Sequence, residues 1–498
     1  MLVVAAAVGT SAEADWSHLA ALERSGAAVS ASAVDLERNT VLGQLNAGER
    51  LTPASLTKLA TAAAVLDAWP PAKILQTRLV SGARLAGDTL EGDLILEGAG
   101  DPSLDDHSLW ILATQLRGTG VAHVRGRLIV DPAPFGRVDC ATEDRCQALR
   151  RSDTAYNAPV AAVGVDFGNW CVDVRPTRPG ALARVRGCGV AVLPIPVEGV
   201  IRTISTHGRQ TLWVERVTDS AGDRLRVGGD VPAGDPQQIY RSMSDPARGA
   251  GLLLEETLHE IGIRIDGPIV VRSRSDPLPR NIAVLAQVGG LPLREQVERM
   301  LRYSNNYVAD VLSLDLAASS TERRPLRLAD AGSLLADFLA RAGRSARIVR
   351  LDGRERSRRI GRAHLSDRAP GEPVLLSGSG LTTQNRVSAS DLTALLEHEY
   401  RDTRHFPVFY GSLVVPRDGP FVFLRGGSTA WLDRVALKTG TLDNPVSVCG
   451  IAGYLRKRDG GWIAFAAIVN GTARRRHVPL YEAIDAEEAD VEDLLARY

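Results

Sequence analysis

The spacing of apolar positions changes character along the chain. Residues 29–46 give two strand-like runs, Val29 to Asp35 and Thr40 to Leu45, with a turn through Glu37-Arg38-Asn39 between them, which predicts a β-hairpin. Helical spacing follows in Leu56, Leu59, Ala62, Ala63, Val65 and Leu66; Thr52-Pro53 supplies the helix start and Pro70-Pro71 the stop. From about residue 77 to 288 the runs become short and β-type, cut by Gly, Pro and Asp, as at 92–98 and 125–131. Helical spacing returns at 291–301, where Leu293, Val297, Met300 and Leu301 share a face, and continues through Val308, Val311, Leu312 and Leu314. Three strands at 434–441, 446–455 and 462–470 and a helix at 478–497 end the chain.

These elements predict an α/β fold in which an antiparallel sheet flanked by helices is built from both ends of the chain. Residues 15–76 and 289–498 form this discontinuous domain, and 77–288 a β-rich insertion of two subdomains, with a nested one at roughly 165–240. A chain of 498 residues exceeds one ordinary core. The formal net charge is zero and the arginines are interspersed with acids, which argues against a nucleic-acid partner. The short basic runs at 354–362 and 474–476 read as solvated turns.

Residues 1–14 are apolar and end in Ala12-Glu13-Ala14, a small-x-small cleavage pattern, so a signal peptide and a periplasmic or otherwise exported protein are expected, although a basic leader is missing. No other stretch approaches the roughly 18 apolar residues of a membrane span; peripheral contact with a membrane surface stays open. Of five cysteines, Cys140 with Cys146 and Cys171 with Cys188 are plausible disulfides in an oxidising compartment, though spacing does not fix connectivity. Cys449, in an apolar strand, reads as a buried small residue. The nine histidines lack metal-ligand spacing, so neither metal nor cofactor is expected.

Only four of the 59 basic residues are lysines: Lys58, Lys73, Lys438 and Lys457. Arginine stays protonated, whereas a desolvated lysine next to another positive charge can serve as a general base. Lys58 closes Ser55-Leu56-Thr57-Lys58, which puts a serine in the first helical turn and an amine one turn later on the same face. Lys438 opens Lys438-Thr439-Gly440 on a strand, where glycine leaves room for a substrate to lie along the edge. Ser304-Asn305-Asn306 lies between them in sequence. Each motif alone occurs by chance; the three in this order are specific. Lys73 and Lys457 carry no motif, and Gly378-Ser379-Gly380 reads as a loop, since no base follows it in a triad pattern.

On these residues, with Glu97-Gly98-Ala99-Gly100-Asp101-Pro102-Ser103-Leu104, Tyr156-Asn157-Ala158-Pro159 and Gly378-Ser379-Gly380-Leu381, nearly the whole chain resembles the serine-type D-alanyl-D-alanine carboxypeptidase/endopeptidases, the class C low-molecular-mass penicillin-binding proteins. The resemblance implies a penicillin-binding/β-lactamase-like serine hydrolase domain with Ser55 as nucleophile and Lys58 as its base. Ser304 and Asn306 would relay protons and hold the substrate amide. Lys438, Thr439 and Gly440 would bind the terminal carboxylate side, and the backbone N–H groups of Ser55 and Thr441 would form the oxyanion hole. Peptidoglycan stem peptides would be the substrates and β-lactams the inhibitors. The family's usual Asp-Gly-Ser-Gly-Leu-Ser-Arg is Ser377 to Thr383 here, which loses an acid and a base. Some members hold the free amino end of the peptide with an acid of the insertion, and Asp153 lies in that neighbourhood. A β-lactamase and a catalytically decayed wall-binding protein of the same fold are the alternatives.

Overall fold

The computed structural model describes residues 15–140, 142, 146, 147, 153–273, 278, 279, 281–352 and 371–498, with backbone alone for 347–352. The predicted signal peptide and the basic run at 354–362 lie outside the described residues. The chain packs as two compact units. One holds the described residues up to Ala63, Ala336–Leu375 and Thr383–Tyr498; the other holds Ala64–Leu335 and Leu376–Thr382. The second therefore takes in 64–76 and 289–335 together with the β-rich stretch.

The first unit is built on an antiparallel five-stranded sheet in the order Thr40–Leu45, Ala28–Asp35, Trp462–Asn470, Val448–Arg456, Val435–Leu442. Both faces are covered, so the central strands are apolar at nearly every position. Val29, Ala31 and Ala33 join Leu437, Ile451, Phe465 and Val469 in a core with Leu19, Leu22, Val491 and Leu494 of the terminal helices Ser17–Arg24 and Leu480–Arg497. Residues of the other parity meet the helix Ala389–Arg401: the Ala389 amide donates to Ser30 Oγ at 3.1 Å and the Tyr454 hydroxyl to the Leu396 carbonyl at 2.7 Å. That helix begins with a reciprocal capping box of Ser388 and Asp391.

The expected hairpin and C-terminal strands form with small shifts at their ends. The start of the serine helix differs. Instead of entering an α-helix at Thr52-Pro53, the chain makes a 3-10 turn over Ala54–Leu56, with Ala54 at φ 47°, before the α-helix Thr57–Ala68. Periodicity cannot register such a turn, because three residues carry no period.

In the second unit a mixed five-stranded sheet runs in the order Ile269–Val271, Leu128–Asp131, Leu94–Glu97, Gln76–Ser81, Ala283–Gly289. Two helices, Asp106–Gly118 and Pro246–Glu260, pack against it, so the β-rich stretch contains helical layers the sequence reading missed. Both have aspartate N-caps, Asp105 and Asp245, whose side chains accept from the amides of Ser108 and Arg248. The surrounding Gly, Pro and Asp punctuation masked these caps. Smaller sheets formed from residues 169–242 include the strands Asn169–Arg175 and Arg184–Gly187, tied by the Cys171–Cys188 disulfide; Cys140–Cys146 is the second disulfide. The second of these strands stops at Gly187, directly before Cys188.

Lys457, without a motif in the sequence, has a structural task. Its Nζ lies 2.9 Å from Asp35 Oδ2 and 3.0 Å from Glu37 Oε2, nearly shut off from solvent. Asp35 keeps the Glu37 and Arg38 amides as donors, which softens the loss of the lysine. Lys457→Met should therefore lower stability by about 3 kcal/mol, the low end of the range for breaking a buried pair. Urea denaturation checks this; an unchanged midpoint would mean that the pair contributes nothing net.

Candidate active site

The first unit gathers Ser55, Lys58, Lys438, Thr439, Gly440 and Thr441. Lys58 Nζ donates to Ser55 Oγ at 2.8 Å, and both lysines are fully buried while the serine is partly accessible. Burial pushes the Lys438 ammonium well below the usual lysine range, and the neighbouring charge of Lys58 pushes it further. Lys438 Nζ donates to the Thr439 carbonyl at 2.6 Å.

Strand alternation explains the placement. Val435 and Leu437 point into the core with the terminal helices, so Lys438 and Gly440 share the opposite face with the serine turn. A Cβ on Gly440 would lie 2.5 Å from the Pro53 carbonyl and 3.2 Å from the Leu56 nitrogen. Glycine there thus admits the serine turn itself, beyond the room for substrate read from the sequence. Val435–Leu442 is an edge strand, so one side of its backbone faces away from the sheet.

The turn is fixed by residues that no motif announced. Asn470, at the end of its strand, accepts the Thr52 amide on Oδ1 at 2.8 Å and donates Nδ2 to the Thr52 carbonyl at 3.0 Å. Asn385 Nδ2 donates to Thr57 Oγ1 at 3.1 Å, and Arg386 Nη1 to Thr52 Oγ1 at 2.9 Å. These contacts hold Ala54 in a left-handed conformation that a non-glycine residue adopts only under constraint, at a cost of about 1–3 kcal/mol.

Ser304 and Asn306 belong to the second unit. Ser304 is also left-handed, at φ 55°, in the tight connection between the helices Leu293–Arg302 and Asn306–Ser320. Asn305 caps the second helix by accepting the Val308 amide at 3.0 Å, and Asn306 Nδ2 donates to the Tyr156 carbonyl at 2.9 Å. This brings the Tyr156-Asn157-Ala158-Pro159 segment against the Ser304 motif. The Gly378 loop docks on the same helix: the Ser379 amide donates to Asp310 Oδ1 at 2.8 Å, and a Cβ on Gly378 would lie 2.5 Å from Ser313 Oγ. Gly100 likewise lies so close that a Cβ would meet Asp315 Oδ1 at 2.0 Å, and Asp101 accepts from Ser103 and Gln296. Four of the segments that carried the resemblance are therefore packed around one helix.

One expectation is modified and one is met. Asp153 is already engaged: its Oδ2 accepts the Arg216 amide at 2.6 Å and pairs with Arg241 Nε at 3.4 Å. It is thus no open acid waiting for an amino group. Cys449 is buried, with its thiol 3.5 Å from Glu487 Oε2, and burial raises its pKa well above that of an ordinary thiol, which suits a packing role.

Residues 13–353 and 369–491 match the D-Ala-D-Ala carboxypeptidase 3 (S13) family. The D-alanyl-D-alanine carboxypeptidase DacB of Haemophilus influenzae is 23% identical over 95% of this chain and 91% of its own. The D-alanyl-D-alanine carboxypeptidase of Actinomadura sp. (strain R39) is 27% identical over 93% of this chain and 82% of its own. In fold, the chain is similar to the crystal structure of penicillin binding protein 4 (dacB) from Haemophilus influenzae, with a TM-score of 0.72 and 20% identity over 96% of this chain and 99% of that one. With the serine–lysine pair, the second buried lysine and this match over most of its length, the chain belongs to the D-Ala-D-Ala carboxypeptidase 3 (S13) family and is a serine-type carboxypeptidase of the penicillin-binding class.

Proposed function

We propose that Ser55 is the nucleophile of a peptidase that removes the terminal D-alanine from peptidoglycan stem peptides and opens D-amino-acid cross-links. The observation that carries the assignment is the 2.8 Å contact between Lys58 Nζ and Ser55 Oγ beside a second buried lysine. In this reading neutral Lys58 accepts the Oγ proton as Oγ bonds to the carbonyl carbon of the penultimate residue. The backbone N–H groups of Ser55 and Thr441 stabilise the tetrahedral oxygen. The C–N bond then breaks, D-alanine leaves with a proton relayed through Ser304, and water hydrolyses the acyl-enzyme. Asn306 holds the substrate amide, and Lys438 with Thr439 takes the terminal carboxylate. The edge position of Val435–Leu442 supports a peptide lying alongside as an added strand at Gly440.

As functional units we assign 15–76 and 289–498 to catalysis and 77–288 to an insertion for polymer recognition. The two disulfides support action in an oxidising compartment, in keeping with export to the periplasm. Among the described residues no helix is long and apolar enough to cross a membrane.

Intact-mass spectrometry with benzylpenicillin should show one covalent adduct, mapped to Ser55 and abolished in Ser55→Ala. An adduct that persists in that variant would remove Ser55 from the role. Lys58→Met should slow acylation by about 10²- to 10⁴-fold, the range for a positioned general base, with the circular dichroism spectrum retained. An unchanged acylation rate would assign the base elsewhere. The depressed pKa of Lys438 also sets a pH signature. In the free enzyme the ammonium is lost at lower pH than in an ordinary lysine, whereas a bound carboxylate favours the charged form and raises that pKa. The alkaline limb of kcat/KM should therefore fall at lower pH than that of kcat. Coincident limbs would separate Lys438 from carboxylate binding.

A further inference from the structure

Val435–Leu442 is the outer strand of the first unit's sheet, yet its outer edge is not open along its whole length. Val414 pairs with Leu437 there. The Val414 amide donates to the Leu437 carbonyl at 2.8 Å and the Leu437 amide to the Val414 carbonyl at 2.9 Å, in an antiparallel bridge. The catalytic reading gives this contact no task.

The bridge fixes which backbone groups the edge offers. Strand residues turn their N–H and C=O alternately to one side and the other, so the backbone groups of Leu437, Thr439 and Thr441 face outward, and those of Lys438 and Gly440 face the neighbouring strand Val448–Arg456. Thr441, whose N–H is assigned to the oxyanion hole, thus lies on the open part of the edge. The Thr439 carbonyl already accepts Lys438 Nζ at 2.6 Å, which weakens the pairing on offer at that place.

Val414 is held from both sides. The short helix Phe406–Gly411 ends before it, where the Ser412 hydroxyl donates to the Val408 carbonyl at 2.7 Å and the Leu413 amide to the Tyr410 carbonyl at 3.0 Å. Beyond it the Gly419 amide donates back to the Val415 carbonyl at 2.9 Å, and a Cβ on Gly419 would lie 2.3 Å from Val414 Cγ1. Leu413 and Val414 are both buried, and Val414 belongs to the core beneath the sheet.

In the catalytic reading, on which this inference rests, the attacked carbonyl sits at Thr441 and the leaving residue points toward Thr439 and Lys438. The substrate therefore runs antiparallel to Val435–Leu442. It places the residue of the attacked carbonyl opposite Thr441, the first leaving residue opposite Gly440 and a second opposite Thr439. A third would fall opposite Lys438, where the antiparallel sense of the bridge brings Leu413. We propose that Leu413 and Val414 form a stop that limits the leaving segment to two residues, so that the enzyme takes peptides whose free carboxylate lies one or two residues beyond the bond it cleaves. A cross-link meets this limit where the leaving residue ends in its own carboxylate and joins its peptide through its side chain.

The test uses the full mature chain and synthetic peptides in which the attacked D-alanine is followed by D-Ala, D-Ala-Gly or D-Ala-Gly-Gly. Products are identified by mass spectrometry, and kcat/KM is measured for each peptide. One residue should leave fastest and two more slowly. With three, kcat/KM should fall by about 10²-fold or more, the cost of a misplaced reacting carbonyl. Val414→Pro removes the amide that donates to Leu437, and Gly419→Ala pushes a methyl group at Val414. Either variant, with the wild-type circular dichroism spectrum and the benzylpenicillin adduct retained, should raise the rate for three residues relative to one. If one variant fails to fold, the other decides. The stop is overturned if wild-type protein releases the three-residue segment as readily as D-alanine, or if a folded variant keeps the full length limit. Failure to release even D-alanine, without an adduct at Ser55, overturns the catalytic reading and the stop with it.

Discussion

Burying two lysines beside one serine hydroxyl is the constraint around which the first unit is arranged. Each amine loses its hydration, and each charge disfavours the other, so the pair persists only where the surrounding chain leaves it no alternative position. The interior of an antiparallel sheet provides such a place. Lys438 is confined by strand alternation, with core residues on one side of its strand and the serine turn on the other. Lys58 is confined by helix geometry, one turn beyond Ser55 on a helix that is buried from Thr57 to Leu66. Burial, with the charge of Lys58 beside it, holds the Lys438 ammonium well below the ordinary lysine range.

Much of this was legible because it is periodic. The hairpin, the final strands, the serine helix and the helices around Ser304 follow from spacing, and rare lysines in an arginine-rich chain pointed to the amines that matter. What escaped was aperiodic or tertiary. The 3-10 turn at Ala54–Leu56 and the left-handed backbone at Ala54 and Ser304 depend on contacts from distant segments. Asn470 read as the last residue of a strand, and only pairing with Thr52 reveals its second task. The helices Asp106–Gly118 and Pro246–Glu260 were hidden because their neighbours break so often that the local average looks like a string of strands.

The second unit shows how short motifs far apart in sequence acquire a common purpose. The segments at Gly98, Tyr156 and Gly378 each touch the helices Leu293–Arg302 or Asn306–Ser320, which flank Ser304. Their glycines are places where another backbone or a polar side chain comes too near for a Cβ. The acid and base missing from the loop at Ser377 to Thr383 are not replaced in kind. Ser377 Oγ instead accepts the Gly380 amide at 3.3 Å, and Thr382 pairs with Thr142 through their hydroxyls at 3.0 Å. These neutral hydrogen bonds join the Asp310 carboxylate, which accepts the Ser379 amide, in holding the turn.

The two-point grip of Asn470 on Thr52 spans 418 residues of sequence. A partial chain emerging from synthesis or export has Ser55 and Lys58 early but lacks the asparagine that sets their turn and the strand that brings Lys438. The Ser55 turn is therefore assembled last although it is made first. A truncated chain lacks the contacts that set the Ser55 turn. Assembly of that turn and completion of the chain become one event, written into topology.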